Sequence, residues 1–271
     1  MQEEVILAEL WRDYTSSTPQ ALRIRELLAA RGETIQNDHV ALRTYALPGI
    51  DMRVLAQPFE AAGWTLAADV YPFPDKHLVA RYWRPPSAEL PKVFISELDV
   101  EALSPAARVI VHALHAQVGE FVVLPWAGRP WRIAYADYEA LLAESEYAAW
   151  VAAFGFRVNH FTVLVNALST FVDLQGLVAF LQQMGETLST AGGVIKGSPF
   201  DLLEQASTRA DSVEVSFADT SARIPSCYYE FARRYPMEDG SLFQGFVPAS
   251  ADRIFESTNV DKTLEPRGGG E

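Results

Sequence analysis

Over the first thirty residues, apolar positions recur at helical spacing. Val5, Leu7, Leu10 and Trp11 mark a helix over 3–14, and a second runs over 21–31, with Thr18 before Pro19 as its N-cap and Gly32 as its stop. The pattern then turns to alternation. In the stretch Asp38-His39-Val40-Ala41-Leu42-Arg43-Thr44-Tyr45, one strand face carries His39, Ala41, Arg43 and Tyr45 and the other Val40, Leu42 and Thr44. A helix over 52–62 follows, then strands over 64–70, 78–83 and 93–98, separated by proline and glycine breakers. Ser104-Pro105 opens a helix through Val118, and a helix-rich stretch spans 136–154 after the turn region 125–130.

The opening pattern then recurs. A strand over 158–166 contains His160, a helix spans 174–191, and strands lie near 194–195, 212–217 and 227–231. The chain therefore reads as two related halves, each a strand and helix followed by further strands, about 32–125 and about 156–258, behind two added helices over 3–31. No Gly/Ser or Pro-rich linker divides them, and each alone would leave a sheet face uncovered. The expectation is one composite α+β domain over 1–264, with the glycine-rich 265–271 as a disordered tail.

Charge narrows the partners. With 35 acidic and 22 basic residues the net charge is −13, and Arg233-Arg234 is the longest basic run, so nucleic acid and anionic membrane surfaces are not expected partners. No window approaches a membrane span, and the first residues lack the basic region of a secretory signal. The single cysteine, Cys227, forms no internal disulfide and fits a reducing cytoplasm. Three residues before Glu230, it falls on the opposite strand face and is assigned to packing. Gly192-Gly193 lacks the context of a phosphate loop. His112 and His115 share a helix face but specify no carboxylate partner.

His39, His160 and Glu230 each place a metal-type ligand on a short predicted strand. They are 121 and 70 residues apart, without a local motif such as HExxH, so two readings stand side by side. Either they share a metal, or His39 caps a strand, His160 is a satisfied core histidine, and Glu230 faces solvent beside Arg233 or Arg234.

Asn37-Asp38-His39-Val40-Ala41-Leu42-Arg43-Thr44, Val158-Asn159-His160-Phe161-Thr162 and Tyr228-Tyr229-Glu230-Phe231-Ala232-Arg233-Arg234 together resemble the 2-oxoadipate dioxygenase/decarboxylase family. Further similar blocks are Lys92–Leu98, Lys196–Pro199, Leu203–Thr208, and Phe246–Ala251 leading into Ile254–Ser257. They fall in the family's order across residues 37 to 258. The resemblance implies a vicinal oxygen chelate-like fold, in which two related βαβββ-type halves curl a mixed sheet around a metal. It also implies a single Fe(2+) held by His39, His160 and Glu230, a set that leaves three positions open for a chelating 2-oxo acid and O2.

The implied reaction is oxidative decarboxylation and hydroxylation, taking 2-oxoadipate to 2-hydroxyglutarate plus CO2 within lysine catabolism. The alternative is a lyase, isomerase or hydrolase of the same fold using the metal as Lewis acid; a third reading is a binding protein without turnover. Arg43 is the catalytic and substrate-binding candidate, four residues after His39 and about 13 Å along the same strand face at roughly 3.3 Å per residue. Its guanidinium can grip a carboxylate bidentately, although with 35 acidic residues present a structural ion pair is the competing reading. Ala249 and Ser250, at the start of a short predicted helix, are implied to face the substrate, with Ala249 where the family often carries a larger aliphatic residue. Ser207 and Lys196 join the pocket by resemblance alone, since serine and lysine in turns are ordinarily solvent-facing or capping. Oligomeric state is left open.

Overall fold

The structure is a computed structural model and describes residues 2–248. Ala249, Ser250 and the predicted 265–271 tail lie outside the described residues.

Helix α1 (Gln2–Ser17) buries Ile6, Leu10 and Tyr14 along one stripe. Helix α2 (Pro19–Ala30) begins at a proline whose missing N–H is not needed in a first turn, with Thr18 as N-cap. Gly32 then turns the chain at φ +85°. The first half runs β1 (Asn37–Tyr45), α3 (Met52–Ala61), β2 (Thr65–Leu66), β3 (Tyr71–Phe73), β4 (Leu78–Arg84) and β5 (Lys92–Leu98). Asp51 starts α3 by accepting from the Arg53 and Val54 amides at 2.8 and 3.3 Å. Helices α4 (Pro105–His115), α5 (Tyr135–Glu144) and α6 (Glu146–Phe154) connect the halves. The second half is β6 (Val158–Leu164), α7 (Leu174–Gln183), β7 (Lys196–Ser198), β8 (Leu203–Ser207), β9 (Ser212–Ser216), β10 (Ser221–Pro225) and β11 (Glu230–Arg234).

Among the described residues, nine strands make one mixed sheet in the order β2-β4-β5-β1-β6-β11-β8-β7, with β3 also on β4. Each half pairs its first strand in parallel with its last, β1 with β5 and β6 with β11, and the halves meet where β1 runs antiparallel to β6. The connections repeat as well. A short 3-10 turn, Pro74–Lys76 or Pro199–Asp201, precedes β4 and β8, each closed by a left-handed residue, His77 at φ 55° and Leu202 at φ 60°. This is the α+β architecture of two related halves that the periodicity predicts.

Local boundaries differ where one turn chemistry outweighs periodicity. The 64–70 stretch pairs only at Thr65–Leu66, and pairing resumes at Tyr71–Phe73. The 136–154 stretch breaks at Ser145, which is extended at φ −144° and caps α6 through the Ala148 amide. The helix predicted to 191 ends at Gln183, because Gly185 takes φ +90°. The strand near 194–195 starts at Lys196, and that near 227 starts at Glu230. β8 and β10 carry no strand prediction, and β9 pairs with β10 in a separate hairpin instead of joining the sheet.

Helices cover both sheet faces at the centre. The Trp11 ring of α1 meets Phe161 of β6 edge-on at 5.0 Å on one face. On the opposite face, which carries His39 and His160, α6 closes one end, where the Tyr45 hydroxyl donates to the Ala148 carbonyl at 2.7 Å. Both faces of β1 are consequently buried, the polar one included.

Candidate metal centre

Strand register builds the centre. Thr162 on β6 is the cross-strand partner of His39 on β1 and also of Glu230 on β11, so the three stand in a row across neighbouring strands, with His160 two residues from Thr162 on the same face. The positions between the larger side chains are held by the small Thr162 and Ala41. Ligand atoms of His39, His160 and Glu230 all lie within 4.8 Å of one another, and all three residues are buried.

The same device orients both imidazoles. His39 Nδ1 lies 2.8 Å from Asp38 Oδ1 and His160 Nδ1 lies 3.0 Å from Asn159 Oδ1, the residue immediately before in each case. Both partners are acceptors, which places the proton on Nδ1 and leaves Nε2 as donor to a metal. The Nε2 atoms face Glu230, at 3.8 Å from Oε1 for His39 and 3.2 Å from Oε2 for His160. His39 Nε2 also lies 3.0 Å from Thr162 Oγ1. Burial, reinforced by the proximity of His39 and by the Arg43 guanidinium, holds His160 well below the ordinary histidine range, so its imidazole is neutral. Burial pushes the Glu230 carboxyl up, against the pull of His39 and of Gln205.

Glu230 Oε1 accepts from Gln205 Nε2 at 2.6 Å, whereas the buried Oε2 accepts no hydrogen bond among the described residues. Two imidazole nitrogens and a carboxylate oxygen left without a donor fit a divalent transition-metal ion. Behind His39, Asp38 is held far below the usual carboxylate range; burial opposes this, but the Arg234 guanidinium at 2.5 and 2.8 Å and the Lys92 ammonium outweigh it. Glu230 is therefore not the solvent-facing partner of Arg233 or Arg234. It is fully buried; Arg234 pairs with Asp38, and Arg233 donates to the Val172 carbonyl.

The halves differ at one equivalent position. Two residues past His160, the partner on β11 is Glu230; two residues past His39, the partner on β5 is Phe94. Phe94 packs on Phe246 at 4.7 Å, and Phe246 meets His39 edge-on at 4.9 Å. One half thus supplies a carboxylate where the other supplies an aromatic wall, which leaves three candidate ligands and an apolar side.

Arg43 shares the face of His39 but is buried under α6. Its Nη1 donates to Glu146 Oε1 and Oε2 at 3.1 and 3.3 Å, and its guanidinium lies over the Tyr147 and Trp150 rings. The ion-pair partner weighed from composition is present, and Arg43's charge also reaches His160 and Tyr228. Lys196 and Ser207 are buried strand residues, not turn residues facing solvent. Lys196 donates to the Ser189 carbonyl at 3.4 Å and influences Glu230 electrostatically, and Ser207 is the cross-strand partner of Glu230. His112 is on the surface against Glu101. Cys227 is buried, its thiol pushed up to about 11 by burial.

Sequence reasoning did not single out Gln205, Asp38, Thr162, Glu146, Phe94 or Tyr228. The repeated acceptor-histidine pair, Asp38-His39 and Asn159-His160, is the one local signal that would have drawn attention to Asp38. Glu146 had none, because it reaches Arg43 only through docking of α6.

Comparison with known proteins places this geometry. The sequence profile of the 2-oxoadipate dioxygenase/decarboxylase family matches residues 6–121 and 111–241, and the chain belongs to that family. It is 33% identical to a 2-oxoadipate dioxygenase/decarboxylase of Oryza sativa subsp. japonica named as chloroplastic/amyloplastic, covering 95% of this chain and 79% of that protein. The crystal structure of a rice hydroxyglutarate synthase in complex with 2-oxoadipate superposes with a TM-score of 0.87 at 31% identity, over 94% of this chain and 91% of that one. A Shewanella frigidimarina structure described as a candidate hydrolase superposes at 0.86 with 47% identity, over 91% and 98%. A glyoxalase-superfamily structure from Ralstonia eutropha, at 0.72 and 23% identity over 90% and 85%, shares the fold. Among the described residues, no helix is long and apolar enough to cross a membrane.

Proposed function

We propose that this chain is an iron(II)-dependent dioxygenase that oxidatively decarboxylates a 2-oxo dicarboxylic acid, with 2-oxoadipate as the substrate. The observation that carries the reading is the buried convergence of His39, His160 and Glu230 within 4.8 Å in a member of this family. Iron(II) at these three residues would supply chelation of the 2-oxo acid and activation of O2. The chain's own groups do the rest. Asp38 and Asn159 each accept from Nδ1 and so turn Nε2 of each histidine toward the centre, Gln205 holds Glu230, and the Phe94–Phe246 wall excludes water from the open side. Arg43 orients the carboxylate remote from the chelating end. Overall, the bond between C1 and C2 of the acid breaks and C1 leaves as CO2. One oxygen atom of O2 completes the new carboxylate at C2 and the other becomes the hydroxyl on C3, so that 2-oxoadipate plus O2 balances with 2-hydroxyglutarate plus CO2.

We place Ser207 and Lys196 around the substrate on the family resemblance, and assign the two halves to one catalytic unit because a continuous sheet joins them. The lone cysteine supports work in a reducing cytoplasm. Oxygen uptake by anaerobically iron(II)-loaded protein, offered 2-oxoglutarate, 2-oxoadipate and aromatic pyruvates, tests the reading. Uptake with 2-oxoadipate and an equal release of CO2 is expected. No uptake with any acid, in protein shown to hold iron, would favour Lewis-acid chemistry, the reading that the description of the Shewanella structure supports.

A further inference from the structure

Tyr228 lies beside the centre with a hydroxyl that the fold does not use. Its ring stacks on His160, with centroids 4.6 Å apart and planes 22° apart. Its main chain is tied down separately, the Tyr14 hydroxyl donating to its carbonyl at 2.6 Å. The side chain is fully buried, yet its hydroxyl has no hydrogen-bond partner among the described residues. A buried hydroxyl without a partner is costly, and phenylalanine would provide the same stacking surface without that cost. The ring thus sits directly against a candidate histidine ligand, and Arg43, Glu230 and Glu146 are among the charged groups whose fields reach its phenol. Tyr229 makes an instructive contrast. Its hydroxyl is also unbonded, but its ring packs against Trp11 and Tyr14 on the face that α1 covers, away from the candidate ligands.

We infer that Tyr228 is a further substrate-binding residue, whose hydroxyl donates a hydrogen bond to the same remote carboxylate that Arg43 orients. A carboxylate has lone pairs enough for both donors, and a phenol is a neutral donor that adds direction without adding charge to a site already balanced by Glu146. The inference rests on the 2-oxo dicarboxylic acid reading and adds a second recognition element for the end of the acid that does not chelate.

Calorimetric titration of anaerobic, iron(II)-loaded protein with 2-oxoadipate and with 2-oxohexanoate, which lacks the remote carboxylate, tests it. Tyr228→Phe is expected to keep stoichiometric iron, to melt at or above the wild-type temperature, and to bind 2-oxoadipate about 10-fold more weakly with 2-oxohexanoate affinity unchanged. Tyr229→Phe, the same change on the other face, is expected to bind both acids like the wild type. Unchanged 2-oxoadipate affinity in Tyr228→Phe overturns the inference alone. Equal weakening toward both acids, equal weakening in Tyr229→Phe, or loss of cooperative folding in Tyr228→Phe overturns it too, the last by showing a structural partner for the hydroxyl. Failure of the wild type to bind either acid would instead remove the functional reading, and this inference with it.

Discussion

Asp38 and Asn159 fix the tautomer of the histidine that follows each of them, and Gln205 fixes the carboxylate between the two rings. Replacing His39, His160 or Glu230 by alanine is therefore expected to abolish stoichiometric iron(II) binding, measured by metal analysis after dialysis; retention by all three variants would eliminate this centre. Gln205→Ala keeps every ligand and loses only the bond to Oε1, so a weakening of metal affinity by roughly 10–100-fold is expected from a competitive chelator titration. Arg43→Ala should hold iron as the wild type does and bind 2-oxoadipate about 10–100-fold more weakly, the loss of a charged hydrogen-bonding partner. Both effects are local because neither side chain belongs to the converging set.

The helical hairpin is tied to the second half by a carboxylate clamp. Glu33, just beyond α2, accepts from the amides and hydroxyls of Ser169 and Thr170 at 2.6 to 3.0 Å. Burial opposes ionisation, but these four bonds outweigh it and bring the carboxyl down to about 2. A carboxyl depressed in the folded state stabilises fully above its unfolded value, near 4.3, and the gain is lost as pH falls toward about 2. Glu33→Gln is expected to lower stability by about 2 kcal/mol at neutral pH, and to flatten the loss between about pH 4 and 2, in denaturant unfolding followed across pH. An unaltered acid limb would place that titration elsewhere. The boundaries that periodicity misplaced belong to this scale as well. Ser145 and Gly185 end helices through backbone conformation, whereas the apolar spacing around them continues.

For the whole molecule, metal binding at this candidate centre would be coupled to folding, because the candidate ligands come from β1, β6 and β11 and converge only when both halves meet. Iron(II) at about 100 times its dissociation constant should stabilise the fold by about 2.7 kcal/mol and raise the melting temperature by roughly 5–10 °C. A chelator should reverse the shift, and His39→Ala should show none; a shift that persists in His39→Ala would assign the effect to metal bound elsewhere.

Two related halves, an α+β class and three candidate ligands were legible in the chain itself, since burial on one face imprints a local period on every strand and helix, and because the blocks around His39, His160 and Glu230 keep a family's order. What a local pattern cannot encode is which strands become neighbours and in what register. Only the tertiary structure put Thr162 opposite both His39 and Glu230, set Phe94 where the other half has its carboxylate, docked α6 so that Glu146 meets Arg43, and turned Lys196 and Ser207 inward. These are contacts between residues tens to hundreds of positions apart. Their energies come from cross-strand pairing and shared burial, which exist only once the sheet has closed.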